Sequence, residues 1–140
     1  TRALVEDGAL VEVLVEGSRR RYLARPPVAV PRRAPDERLR ILGPLDALLW
    51  DRDLVAHAFG FDYVWEVYKP AAQRRWGWYV CPLLHRGELV GRLEARVADG
   101  RLVVDRVWPE GRGALDPRAL RAALERHAEA LGVEPPRRAR

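Results

Sequence analysis

The stretch from residue 88 to residue 108 reads ELVGRLEARVADGRLVVDRVW and is typical of two β-strands joined by a tight turn. Apolar and polar residues alternate through its first half, as they do in a strand with one buried face. The pair Asp99-Gly100 is a strong signal for a two-residue hairpin turn. One face of the first strand carries Leu89, Gly91, Leu93, Ala95 and Val97, and the other carries Val90, Arg92, Glu94 and Arg96. We expect the polar set Arg92, Glu94 and Arg96 to face solvent, or a nucleic acid if the domain binds one.

Further strands are predicted on the N-terminal side of this hairpin. They cover residues 10–16, 20–24, 39–42, 62–68 and 77–84, where apolar, β-branched or aromatic residues cluster. Residues 25–36 contain four prolines, so this segment is predicted to be a loop or crossover. Single tight or helical turns are predicted at residues 45–50 and 70–75.

Two helices are predicted from their capping residues. These residues are Asp51 and Gly60 for a short helix near residues 51–59, and Asp116, Pro117 and Gly132 for a C-terminal helix over residues 116–131. The apolar stripe of the second helix comprises Leu120, Leu124, Ala128 and Leu131. The predicted fold class is mainly β with α, an α+β domain.

The length of 140 residues predicts one compact domain. We place it at residues 1–132, followed by a basic, disordered tail at residues 133–140. The single cysteine, Cys81, excludes an internal disulfide and fits a reducing cytoplasm. No apolar run approaches the roughly 20 residues that span a bilayer, so no membrane association is expected.

The net charge of +5 is carried almost entirely by arginine, which supplies 24 of the 25 basic residues. Eight arginines fall within residues 19–40, and residues 69–86 hold four basic residues and no carboxylate. Such local excesses create a positive potential that attracts polyanions. A solvated basic face without a partner is the alternative.

Nine of the eleven aromatic residues lie between Trp50 and Tyr79, and a basic turn, Gln73-Arg74-Arg75, lies among them. Guanidinium groups bind phosphates, and aromatic rings offer faces on which bases stack. The candidate DNA-binding residues are Lys69, Arg74, Arg75, Trp76, Arg52 and Trp50. The alternative is that most of these rings are core, since aromatic side chains carry much of the apolar burial in a small domain.

Residues that would support metal or nucleophilic chemistry are few. The soft metal ligands are His57, His85, His127 and Cys81, and only Cys81 and His85 come close to a paired spacing. We therefore expect no metal and no cofactor, and we interpret Cys81 as a buried small apolar residue.

Several segments together resemble the YcaQ-like family of winged-helix DNA glycosylases. They are Gly43-Pro44-Leu45-Asp46-Ala47-Leu48-Leu49-Trp50-Asp51-Arg52, Phe59-Gly60-Phe61-Asp62-Tyr63, Glu66-Val67-Tyr68-Lys69-Pro70, Arg74-Arg75-Trp76-Gly77-Trp78-Tyr79 and Gly87-Glu88-Leu89-Val90-Gly91-Arg92. The resemblance covers about half of the chain strongly. It implies a small antiparallel β-barrel-like domain, double-stranded DNA as partner, and a parent enzyme that removes alkylated or crosslinked purines without a metal or organic cofactor. The family usually carries a lysine where Gln73 stands, which lowers the charge of the turn here.

In that family these motifs belong to the C-terminal part of a longer protein. The family's catalytic signature is a Gln-apolar-Gln or Gln-apolar-Asp triplet in an N-terminal winged-helix region. Gln73, the only glutamine, is followed by two arginines. We therefore expect a catalytically silent domain without catalytic residues. The resemblance also implies that the domain is a monomer whose partner is the winged-helix region. Its expected location is the bacterial cytoplasm, at the nucleoid.

Acidic residues of the aromatic segment have two interpretations. Asp46, in a tight turn near Trp50, is a candidate general base, but we favour backbone capping for Asp46 and Asp51. Asp62 and Glu66 are expected to pair with Arg74 or Arg75 and hold the basic turn in place. Two other functions stay open for the whole chain: a standalone DNA-binding module, and a structural domain whose aromatic surface docks onto the winged-helix region.

Overall fold

The structure, a computed structural model, describes residues 1–28 and 34–137. It divides into two compact units, Thr1–Ala34 and Pro35–Arg140, and each is described on its own. The single domain over residues 1–132 stays a prediction. None of the helices in the described part of the chain is long and apolar enough to cross a membrane.

The first unit contains a short helix and a two-stranded hairpin. Helix α1 (Arg2–Glu6) precedes the antiparallel strands β1 (Val11–Leu14) and β2 (Arg21–Ala24). Both strands were predicted, whereas α1 was not. The predicted loop over residues 25–36 contains no helix or strand at its described positions, and residues 29–33 lie outside the described residues.

The second unit is built on a four-stranded antiparallel sheet. In chain order, which is also the spatial order, its strands are β3 (Arg40–Ile41), β4 (Val80–His85), β5 (Glu88–Ala98) and β6 (Arg101–Pro109). The predicted hairpin of residues 88–108 is thus confirmed as β5 and β6. The α+β class is also confirmed. Because the described sheet has β3 and β6 as edges and does not close, the expected barrel-like shape is only a loose description.

Helix α2 (Arg52–Phe59) begins and ends where its capping residues predict. The Asp51 side chain accepts a hydrogen bond from Leu54 N at 2.9 Å, and Gly60 ends the helix at φ 62°. This left-handed conformation suits glycine because it has no Cβ.

Helix α3 (Pro117–Leu131) follows the same pattern. Asp116 accepts from Arg118 N and Ala119 N, and Gly132 ends the helix at φ 67°. Ala123, Leu124 and Ala128 are its buried residues. Leu131 of the predicted stripe is half exposed, because it lies at the last position of the helix.

Two hydrophobic clusters fill the second unit. One joins α3 to the sheet through Leu39, Leu83, Val90, Leu93, Leu102, Ala123, Leu124 and Ala128. The other joins α2 and the aromatic segment to the sheet through Leu42, Leu49, Val55, Phe61, Tyr63 and Leu89. Neighbouring residues of β5 thus contribute to different clusters, because this strand is buried on both faces.

The strand predicted at residues 62–68 is wrong, because these residues form an irregular segment that ends in a turn. The segment is held by its side chains and not by the backbone hydrogen bonds of a β-ladder. Phe61 and Tyr63 are buried, and the Tyr63 hydroxyl donates to Val80 O at 2.9 Å. Aromatic residues of this segment are thus buried although the segment does not pair as a β-strand, so aromatic and β-branched composition does not require strand pairing.

Of the predicted disordered tail at residues 133–140, residues 133–135 contact α3 and β6, whereas residues 138–140 lie outside the described residues. Glu134 N donates to Gly100 O at 2.9 Å, and Leu102 N donates to Glu134 O at 2.8 Å. The Arg101 side chain pairs with the Glu134 carboxylate and donates to Pro135 O. Residues 133–135 are therefore held along the start of β6, because that edge offers unpaired backbone groups.

Candidate nucleic-acid interface

The basic turn extends over residues 69–76, and the name is used below for this whole segment. It connects the irregular segment 62–68 to the residues that precede β4. A single turn of 3-10 helix, Ala71–Gln73, forms its middle, as predicted. The turn brings Lys69, Arg74, Arg75 and Trp76 into one short loop, and their contact with DNA stays a prediction.

A buried carboxylate holds this loop together. Glu66 is only 3% exposed. Its two oxygens accept hydrogen bonds from Lys69 Nζ at 2.8 Å, Arg75 N at 3.2 Å and Trp76 N at 2.8 Å. The expectation that Glu66 holds the basic turn is confirmed. Its partners are the Lys69 ammonium and backbone amides, in place of the expected arginine side chains.

The ionisation of Glu66 follows from these contacts. Burial raises the pKa of Glu66, but the hydrogen bonds from Lys69, Trp76 and Arg75 outweigh burial and lower it to about 2, from an ordinary value of 4.5. The carboxylate is therefore charged at neutral pH and neutralises Lys69. The positive charge left on the turn belongs to the two arginines.

The two arginines differ in how they are held. Arg74 Nε donates to Lys69 O at 2.9 Å, which closes the turn. Arg75 is exposed, and its guanidinium carbon lies 4.6 Å from the centre of the Trp76 ring. A guanidinium that rests on an aromatic face keeps its edge available for a phosphate.

Trp76 is part of a packed stack of rings and guanidinium groups. Besides Arg75, the Arg92 guanidinium lies over the Trp76 ring at 4.4 Å and over the Phe61 ring at 4.1 Å. Trp108 contacts Trp76 edge-on, with ring centres 5.6 Å apart. The ring is thus already engaged, and stacking of Trp76 on a base stays a prediction that requires Arg75 to move.

Arg92 is a correction to the sequence analysis. It was expected to face solvent or a nucleic acid, yet it is 1% exposed. Its Nε and Nη2 donate to the Glu110 carboxylate at 2.6 and 2.9 Å, and Nη2 also donates to Asp62 O. Alternation in β5 does not reveal this burial, because the paired carboxylate lies beyond the end of β6.

The remaining polar residues of β5 keep to the surface side. Glu94 accepts from Trp78 N at 2.9 Å, and Arg96 Nε pairs with Asp105 at 3.1 Å in an exposed position. Glu94 thereby ties the residues after the basic turn to the sheet.

Trp50 and Arg52 lie at the start of α2, away in sequence from the basic turn. Trp50 is 75% exposed, and its indole N–H donates to Leu45 O at 2.9 Å, so the ring is oriented while its face stays open. Asp46 accepts from Leu48 N at 2.9 Å, and Asp51 caps α2. The capping interpretation of both aspartates is therefore confirmed.

Exposed rings beside the basic turn were not singled out by the sequence. Tyr68 is 90% exposed, and Trp78 and Tyr79 are also exposed. Trp65 contacts both Tyr68 and Tyr79 edge-on, at 6.0 and 6.1 Å. Exposed faces of this kind suit base stacking. Their sequence signal is the same as that of the buried Phe61 and Tyr63, so only the fold separates the two groups.

The thiol of Cys81 is half-buried in β4. Burial raises the pKa of the Cys81 thiol to about 11, so it is not a thiolate at neutral pH. Within residues 1–28 and 34–137, no three His, Cys, Asp or Glu side chains are grouped as metal ligands.

A small α+β domain with a braced cationic turn and exposed rings has the features of a nucleic-acid-binding protein. Residues 1–132 match the family model described as DNA glycosylase AlkZ-like. The chain belongs to this family of DNA glycosylases, which confirms the resemblance drawn from its motifs and relates it to DNA repair and DNA binding. No solved structure matches the chain.

Proposed function

We propose that this chain is the DNA-binding and scaffolding domain of a glycosylase that excises alkylated or crosslinked bases. Membership of the DNA glycosylase family supplies the reaction class. The observation that carries the proposal is the basic turn, because Glu66 and Lys69 hold the loop while Arg74 and Arg75 keep their charge.

The geometry of the turn suits a phosphate backbone. A loop held by three hydrogen bonds to one buried carboxylate loses little conformational freedom on binding, so more of the phosphate attraction appears as affinity. The exposed rings of Tyr68 and Trp78 flank the turn and offer faces to unpaired bases. Phosphate contacts give affinity without sequence preference, which fits a supporting domain.

Catalysis is assigned to a separate winged-helix region that would carry the glutamine triplet. The sole glutamine, Gln73, lies in the 3-10 turn beside Arg74, so this chain has no such triplet. We expect the purified chain to release no N7-alkylguanine from alkylated duplex DNA above the background rate, measured by chromatography of the released base. Release above background would contradict this assignment.

The DNA-binding proposal is tested by fluorescence anisotropy with a short labelled duplex at several salt concentrations. We expect salt-sensitive binding, and R74A/R75A is expected to lower the slope of log affinity against log salt by about 2, since each phosphate contact contributes about 0.9. The matched control is R118A/R121A, which removes the same charge from exposed positions of α3. An equal decrease of the slope in both double variants would show that only net charge matters and would contradict the role of the turn.

A second candidate function is docking onto the winged-helix region through apolar surface. The observation that favours it is the exposure of Leu45, Leu48 and Trp50 around another 3-10 turn, Ala47–Leu49, which precedes α2. We propose a monomer for the DNA-binding function. Absence of duplex binding at low salt, together with dimerisation in analytical ultracentrifugation, would favour docking instead.

A further inference from the structure

A second basic surface lies where α3 packs against β3. A cleft of about 250 Å³ opens there. Its charged or polar lining residues are Arg38, Arg40, Arg126 and His127, and its apolar lining includes the buried Leu39 and Ala123. None of the described residues that line it is acidic. It shares no residue with the basic turn.

The guanidinium groups of this cleft are oriented by the fold. Arg126 Nη2 donates to the carbonyl oxygen of the buried Leu39 at 2.8 Å, which fixes its direction across the cleft. Asp36 binds Arg38 Nε at 3.1 Å and Arg40 Nη2 at 2.6 Å. A planar guanidinium held at one edge still presents its remaining N–H groups, which is the arrangement that binds phosphate.

The charge of the cleft stays positive after these ion pairs are counted. The lining contains three arginines, of which Arg38 and Arg40 pair with Asp36. The neighbouring Glu37 pairs with Arg86 at 2.6 Å. Arg38 and Arg40, the last two arginines of the stretch 19–40, therefore belong to a basic surface that contains no residue of the basic turn. Arg126 and His127 join it only through the packing of α3.

We propose that this cleft binds a phosphate group, and that its ligand is a phosphodiester of the DNA backbone. The inference rests on the proposed DNA-binding function and adds a second contact surface to it. The volume is below the range of about 300–1,000 Å³ that is usual for small-molecule sites, so a single phosphate fits better than an organic cofactor. Two separate phosphate surfaces on one domain would fix its orientation on a duplex.

The test uses the full chain with two single variants, R126A and R40A. The matched control is R121A, which removes one arginine from an exposed position of the same helix. In anisotropy with the labelled duplex, R126A and R40A are each expected to lower the salt slope by about 1, whereas R121A is expected to leave it near the wild-type value. Thermal unfolding of each variant shows whether it is folded. Because R40A leaves the Arg126–Leu39 hydrogen bond in place, it keeps the test decisive if R126A unfolds.

The outcomes separate this inference from the function of the basic turn. If R126A and R40A bind as R121A does while R74A/R75A binds more weakly, the turn binds DNA and the cleft proposal is overturned. If R126A and R40A weaken binding and R74A/R75A does not, the cleft stands and the role of the turn fails.

A duplex that does not bind at all at low salt overturns DNA as the ligand. Titration with inorganic phosphate then tests whether the cleft binds phosphate at all, with chloride at matched ionic strength as the control. The readout is NMR of the Arg40 and Arg126 side-chain N–H groups. Shifts in the wild type that disappear in R126A would show a site for free phosphate. Unchanged spectra would overturn the phosphate site itself.

Discussion

At the scale of single residues, buried charges organise the surface of this domain. Glu66 is inaccessible, yet it determines where Lys69, Arg75 and Trp76 are placed. Arg92 also contacts Trp76, because its guanidinium lies over the rings of Trp76 and Phe61 while Glu110 neutralises its charge. Neither charged group is exposed to a ligand, but Glu66 holds the backbone of the exposed Arg75 in place.

We predict that Glu66→Gln lowers the free energy of unfolding by about 1–3 kcal/mol at neutral pH, because the buried group loses its charge-assisted hydrogen bonds. The measurement is urea unfolding followed by tryptophan fluorescence, with the exposed Glu129→Gln as the control. Equal stabilities of the two variants at neutral pH would contradict the role of Glu66.

The same substitution carries a pH dependence whose sign follows from the pKa. Because the folded-state pKa of about 2 lies below the ordinary 4.5, the stabilisation by Glu66 is complete above pH 4.5 and is lost as the pH falls towards 2. The difference in stability between wild type and Glu66→Gln should therefore shrink over this interval. A difference that stays constant would argue against an ionised Glu66.

At the scale of elements, the β5–β6 hairpin is completed by residues that follow α3. Glu134 pairs with the backbone on both sides of Arg101, and Val133 N donates to Ala128 O at the end of α3. Val133 also packs against the core cluster that contains Ala128. The segment after Gly132 thus links the helix to the beginning of β6.

We predict that truncation after Gly132 lowers the free energy of unfolding by about 2 kcal/mol, since two inter-element backbone hydrogen bonds of about 1 kcal/mol each are lost. The control is truncation after Pro135, which keeps both bonds. Chemical denaturation measures the difference. If the two truncated chains unfold at the same denaturant concentration, residues 133–135 contribute nothing.

At the scale of the whole molecule, the hydrophobic core belongs to one of the two units. The fully buried apolar side chains of the described residues all lie between Leu39 and Ala128. Thr1–Ala34 has a helix of one turn and a hairpin of two short strands. An isolated two-stranded hairpin is marginally stable at best in water, whereas a sheet covered by helices can fold alone.

We predict that Pro35–Arg140 folds as an independent unit with a cooperative thermal transition, measured by circular dichroism. A peptide of residues 1–34 is the comparison and should show no cooperative transition. A fragment 35–140 without a transition would mean that its core is incomplete without the first unit.

Local signals accounted for much of the fold. The caps Asp51, Gly60, Asp116 and Gly132 and the Asp99-Gly100 turn were all predicted, because each depends on backbone geometry within a few residues. For the candidate site, the motifs identified the family and placed four of the six predicted residues in one turn. The strand predicted at residues 62–68 is wrong, because content alone does not distinguish a paired strand from a buried irregular segment.

The ends of α2 and α3, the β5–β6 hairpin and the family could therefore be predicted from the sequence by itself. Which charges are buried and which rings are exposed was decided only by tertiary packing. Arg92 meets Glu110, Arg126 meets Leu39, and Gly100 meets Glu134 across long separations in sequence. The physical reason is that burial depends on what covers a residue. The covering groups come from distant parts of the chain, so the periodicity within one strand or helix does not predict them.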